Sequence, residues 1–247
     1  MTTMTTHSQN DERPLLMHLI ELRRRLMVIA FCVLVIFIGL YLKAASLYEF
    51  FATPLLKALS GQGQMVTTDV TASFFTPIKL ALIISFLLAM PIILQQIWGF
   101  VAKGLYRKER WLGRIILGFS IVLFYGGVVV SYYIVFPLVF HFFISKTPDH
   151  IQIMTDIRAY LSFSMKLMLI IGVIFEIPIV IVALVQLGFV EYKTLSKNRK
   201  YMILICFIGA MFISPPDVIS QTLFAIPMII LFELGLLLSR ILTYFRN

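Results

Sequence analysis

Residues 95–114 read QQIWGFVAKGLYRKERWLGR, and here a long apolar run gives way to a dense basic loop. Within the stretch Glu109 is the only acid among Lys103, Arg107, Lys108, Arg110 and Arg114. A carboxylate in a positive collar at a membrane face suits a receptor for a cationic ligand. An ordinary i,i+4 charge pairing suits the same residues. The stretch alone leaves both readings open, but the alternation of apolar run and basic loop decides the fold class.

That alternation continues along all 247 residues, which are 60% hydrophobic and 13% charged. A water-soluble domain of this size carries far more surface charge. A spanning helix needs roughly 20 apolar residues, so the chain has room for about six passes and short loops. The apolar runs place spans at 26–45, 76–101, 115–136, 160–186, 201–213 and 220–238, in one membrane domain covering 1–247. The expectation is an all-α integral membrane protein whose last two spans are short; 201–213 reaches only ~20 Å at 1.5 Å per residue, against a hydrocarbon core of ~30 Å.

Charge sets the orientation. Fifteen Lys and Arg fall in 1–25, 102–114, 187–200 and 239–247, and three in 46–75, 137–159 and 214–219. The positive-inside rule then puts both termini in the cytoplasm and accounts for the net charge of +9 without a nucleic-acid partner. Cys32 and Cys206 lie in apolar runs, which disfavours a disulfide framework. The first apolar run is too long for the h-region of a cleavable signal peptide.

Before it, PLLMHLIELRRRL places Leu15, Leu19, Leu22 and Leu26 at helical spacing, as in an amphipathic helix on the membrane surface. The outer connection holds FFATPLLKAL around Pro54, a short amphipathic cap. Asp156, and Asp217 in a Pro-Pro-Asp turn, sit at outer ends where structural roles suffice. Trp98 fits an interfacial aromatic belt. Lys79, Lys166 and Glu233 lie near span ends, where they snorkel. Gln221 marks the outer end of the last span.

Glu176, in IFEIP, is the one acid at full membrane depth. An ionised carboxylate there costs roughly 2.5–3.5 kcal/mol or more, so it faces a cavity or partner, or is protonated. Pro178 frees a carbonyl one turn upstream and bends the same helix. HExxH, Walker A and GxSxG signatures are missing, and neither a catalytic pair nor a metal or cofactor site is legible. No internal repeat favours a secondary transporter. A receptor or conduit is what remains. Glu21 and Glu109 share one membrane face, and each carboxylate can take a guanidinium in a bidentate pair. A ligand with two adjacent arginines and an apolar stretch suits that surface.

Six segments, HLIELRRRL (18–26), TPIKLAL (76–82), P91…QIWGF…LYRKER, TDI…YLSF (155–163), FEIP (175–178) and SPPDVISQTLFAIPM (214–228), together resemble the TatC family of twin-arginine protein translocase subunits. The resemblance runs in order across nearly the whole chain. It implies a concave, glove-like six-helix bundle in the inner membrane that receives folded proteins bearing twin-arginine signal peptides. It also implies that Glu21 and Glu109 bind the arginine pair, with Phe100 and Arg23 on the same surface. Glu176 is then the intramembrane acid of the concave face. Pro54, Asp156, Asp217 and Gln221 match family motif positions. The implied partners are single-span TatA-like and TatB-like subunits, further copies of the chain and the lipid bilayer. The implied energy source is the proton-motive force. A proton-coupled transporter of a small solute and a non-catalytic membrane assembly scaffold are the competing readings.

Overall fold

The computed structural model describes residues 9–58, 63–66, 71–101, 110–145, 153–213 and 218–246. Helix α1 spans Gln9–Tyr41, followed by α2 (Ala44–Ala58), strand β1 (Gly63–Val66), α3 (Ala72–Leu88) and α4 (Met90–Val101). Then come α5 (Arg110–Val130), a π-helical turn (Ser131–Val135), α6 (Phe136–Ser145), β2 (Ile153–Asp156) and α7 (Ile157–Ile174). The chain closes with α8 (Ile177–Gln186), α9 (Tyr192–Lys197), α10 (Arg199–Ile213) and α11 (Val218–Arg246).

Among the described residues four segments are long and apolar enough to cross a membrane: Ile20–Tyr41, Gly113–Phe142, Ile157–Gln186 and Val218–Tyr244. The pair Phe74–Leu88 and Met90–Phe100, bent by 48°, makes a fifth if it is one broken span. At 15 residues α10 is short, as expected. The last helix is not: α11 runs 29 residues, well beyond the anticipated end at Leu238, because nothing after Pro227 breaks it.

The amphipathic segment before the first span is likewise not a separate surface helix. It is continuous with α1, since neither Pro nor Gly interrupts the chain between Pro14 and Gly39. Ile29, Val33, Ile36 and Leu40 form the stripe by which α1 packs on the bundle, chiefly against α3 and α4. Phe31, Leu34, Val35 and Ile38 on its other faces are exposed, as lipid-facing side chains are.

The core lies where α3, α5 and α7 meet, around Leu80, Phe124, Leu161 and Met165. Helices α8 and α11 pack so closely that a β-carbon on Gly235 would stand 2.8 Å from the Pro178 Cα. Their own cluster is Ile181, Phe232 and Leu236.

Three prolines shape the bundle through the bonds they cannot make. Pro91 has no N–H for the Leu87 carbonyl, so the second span breaks at Ala89; Tyr125 Oη donates to that carbonyl at 3.2 Å instead. Pro54 leaves the Phe50 carbonyl of α2 open, and Tyr132 Oη donates to it at 3.1 Å. Pro137 follows the π-helical turn, where the Phe136 N–H reaches back to the Ser131 carbonyl.

The connections between α2 and α3 and between α6 and α7 contain the one departure from an all-helical chain among the described residues. β1 and β2 pair in parallel with Gly63 opposite Ile153 and Val66 opposite Asp156. Asp156 ends β2 and caps α7, its side chain accepting from the Arg158 N–H at 2.8 Å. Burial, and secondarily the Asp156 carboxylate, raise the Tyr48 hydroxyl pKa above its ordinary value.

Candidate functional site

Glu21 and Arg25 stand one turn apart on α1, where helical geometry makes them neighbours. Arg25 Nη2 and Nε both donate to Glu21 Oε1, at 2.6 Å and 3.0 Å. Its Nη1 donates to the Gln96 main-chain carbonyl of α4. The guanidinium carbon lies 5.7 Å from the centroid of the Phe100 ring, one turn along α4. Between those two α4 residues Gly99 permits the approach, because a β-carbon there would stand 2.8 Å from Arg25 Nη1. Glu21, Arg24, Arg25, Val28 and Gln96 line an adjoining cavity of ≈ 320 Å³. The site thus combines an anionic oxygen, a carbonyl oxygen and an aromatic face around one planar cation. That chemistry selects guanidinium over ammonium.

The fold therefore brings Glu21 and Phe100 together, with Arg25 as the bridge. Arg23 is exposed and, two residues on, lies on another face of α1. Glu109 and Asp217 lie outside the described residues. Arg25, the Gln96 carbonyl and Gly99 were not anticipated from sequence. The i,i+4 spacing of Glu21 and Arg25 was the available signal; main-chain carbonyls leave none.

A second polar centre lies deeper. Glu176 falls at the break between α7 and α8, where Pro178 begins the next helix. Its side chain is buried; Ser120 Oγ of α5 donates to Oε2 at 2.5 Å, while Oε1 has no hydrogen-bond partner among the described residues. Trp98 Nε1 donates to the same Ser120 Oγ at 3.2 Å. The indole N–H is therefore turned to the bundle rather than serving a lipid-facing belt. Because Trp98 sits between Gln96 and Phe100, helix α4 contributes to both polar centres.

Three further polar residues, Gln221, Lys79 and Glu233, hold helices together. Gln221 Nε2 donates to the Phe207 carbonyl at 3.0 Å, linking α11 to α10. Lys79 Nζ reaches Ser162 Oγ at 3.1 Å, and Glu233 pairs with Arg199 at 3.3 Å, so these two end in interhelical contacts rather than only snorkelling. Pro54 falls within α2. No group of three or more His, Cys, Asp or Glu suited to a metal occurs among the described residues.

Residues 17–227 match the family described as Sec-independent protein translocase protein (TatC). The chain is 45% identical over 231 residues to the Sec-independent protein translocase protein TatC of Haemophilus influenzae, covering 94% of this chain and 90% of the relative. It is 45% identical over 233 residues to that of Escherichia coli K12, with the same coverage of 94% and 90%. A crystal structure described as the twin arginine translocase receptor TatC superposes with a TM-score of 0.81 at 33% identity, over 92% of this chain and 99% of that one.

Proposed function

The chain belongs to the TatC family of Sec-independent protein translocase proteins, and on that premise we propose that it is the receptor and core subunit of a twin-arginine translocase. It sits in the inner membrane with six passes and both termini cytoplasmic, a reading supported by the fifteen-to-three distribution of Lys and Arg. It binds the twin-arginine signal peptides of folded precursors, and export runs on the proton-motive force. Glu21 and Glu109 take the two guanidinium groups, Phe100 packs beside them, and the apolar part of the signal follows α3 and α4. Arg23 adds to the positive rim. Glu176 offers a polar point to an inserted signal or a partner helix. The short α10, with Gln221 opposite, is where TatA-like and TatB-like single-span subunits dock, and further copies of the chain complete the complex.

The observation that carries this reading is the setting on α1 and α4, which surrounds one guanidinium with Glu21, Gln96 and Phe100. The test is equilibrium binding of two signal peptides, one with paired arginines and one with paired lysines, to the protein in lipid nanodiscs. The arginine peptide binds at least tenfold tighter. Equal affinities would remove the receptor reading, because lysine cannot use a planar, forked site.

A further inference from the structure

Arg25 is held more fully than a surface i,i+4 pair requires. Its side chain is only 15% exposed, and Glu21's is 22%. It spends Nε and Nη2 on a carboxylate oxygen and Nη1 on a main-chain carbonyl of another helix. Its charge faces an aromatic ring, and a glycine makes room for the approach. These are the contacts a bound arginine ligand would seek, and one of the chain's own arginines already has them.

We infer that Glu21, the Gln96 carbonyl, Gly99 and Phe100 form a guanidinium-binding cradle occupied at rest by Arg25, and that an arginine of the incoming signal peptide replaces Arg25 there. The inference rests on the receptor reading above and adds to it a resident competitor. Arg25 has somewhere to go, since the adjoining ≈ 320 Å³ cavity borders the cradle on the side of Arg24 and Val28. Its long, unbranched stem lets the head group swing with α1 in place. The Glu21 carboxylate is not left unpaired in the exchange, because one guanidinium enters as another leaves. The resident lowers the apparent affinity of any ligand for the cradle by the fraction of time the cradle is vacant. It also keeps the half-buried Glu21 carboxylate neutralised between ligands, which resists capture by stray cations.

The experiment uses the full chain in nanodiscs with the paired-arginine peptide. Arg25→Gln removes the competitor and binds the peptide about tenfold tighter than the parent, the weight of one charge-assisted hydrogen bond. Arg25→Lys keeps the charge but not the fork and gives a smaller gain. Arg25→Ala leaves the cradle open, so N-methylguanidinium raises its melting temperature and methylammonium at equal ionic strength does not. Unchanged or weaker peptide binding by both Arg25→Gln and Arg25→Lys would overturn the exchange, and so would a guanidinium effect no larger than that of ammonium. If the parent chain fails to prefer arginine over lysine peptides, the receptor reading falls first. The methylguanidinium arm then decides separately whether the cradle exists.

Discussion

Ser120 has one hydroxyl hydrogen and gives it to Glu176, while its lone pair receives the Trp98 indole. Removing that oxygen strands a donor and an acceptor together. Ser120→Ala therefore lowers stability in detergent by about 1–3 kcal/mol, the cost of buried groups left unpaired. Adding Glu176→Met recovers part of the loss, since the acceptor goes as well; thermal unfolding of the two variants measures the difference. An additive loss in the double variant would count against the pairing. Glu109 makes its contribution at the ligand. Glu109→Ala weakens the paired-arginine peptide about tenfold or more, as expected for one charge-assisted pair, and leaves assembly with partner subunits intact. Peptide titration alongside native gel analysis separates the two effects.

At the scale of an element, the α3–α4 elbow depends on Pro91 and on the tyrosine that answers it. Tyr125→Phe leaves the Leu87 carbonyl unanswered and costs about 1–2 kcal/mol. In a Pro91→Ala background the new N–H can serve that carbonyl, so the same change becomes nearly neutral. A double-mutant cycle on thermal unfolding reads the coupling directly, and additivity would show that the hydroxyl acts elsewhere. The α8–α11 contact makes a sharper demand. Gly235→Ala drives a β-carbon toward the Pro178 backbone, which has no flexible end to yield. The penalty is about 1–3 kcal/mol, whereas alanine at Gly118, with nothing within 4 Å, is tolerated.

For the whole molecule, the competing reading is a small-solute carrier that uses Glu176 as a proton site, and the Oε1 that has no partner among the described residues is the feature in its favour. Proteoliposomes containing this chain alone take up no solute in response to a proton gradient under the receptor reading. Uptake abolished by Glu176→Gln would reverse that conclusion. Topology is tested by labelling single cysteines introduced at each loop of a variant lacking Cys32 and Cys206. Labels at the basic connections react only from the cytoplasmic side.

The sequence by itself determined the class of the molecule and its family. Apolar runs separated by asymmetric basic loops admit few alternatives, because lipid forces each run to satisfy its own backbone. Glu176 and Phe100 were legible for a related reason, one as an acid too costly to leave unexplained at that depth, the other through the family motif. Which groups they meet was not legible. That Arg25 turns from its own helix to a carbonyl on α4, that Trp98 reaches Ser120, and that β1 finds β2 all depend on chain segments distant in sequence. Periodicity reports which face of a helix is apolar, but it carries no information about the neighbour that face will meet. Only the packed bundle sets those pairings, since they arise from how closely two backbones approach at glycines and where prolines leave carbonyls open.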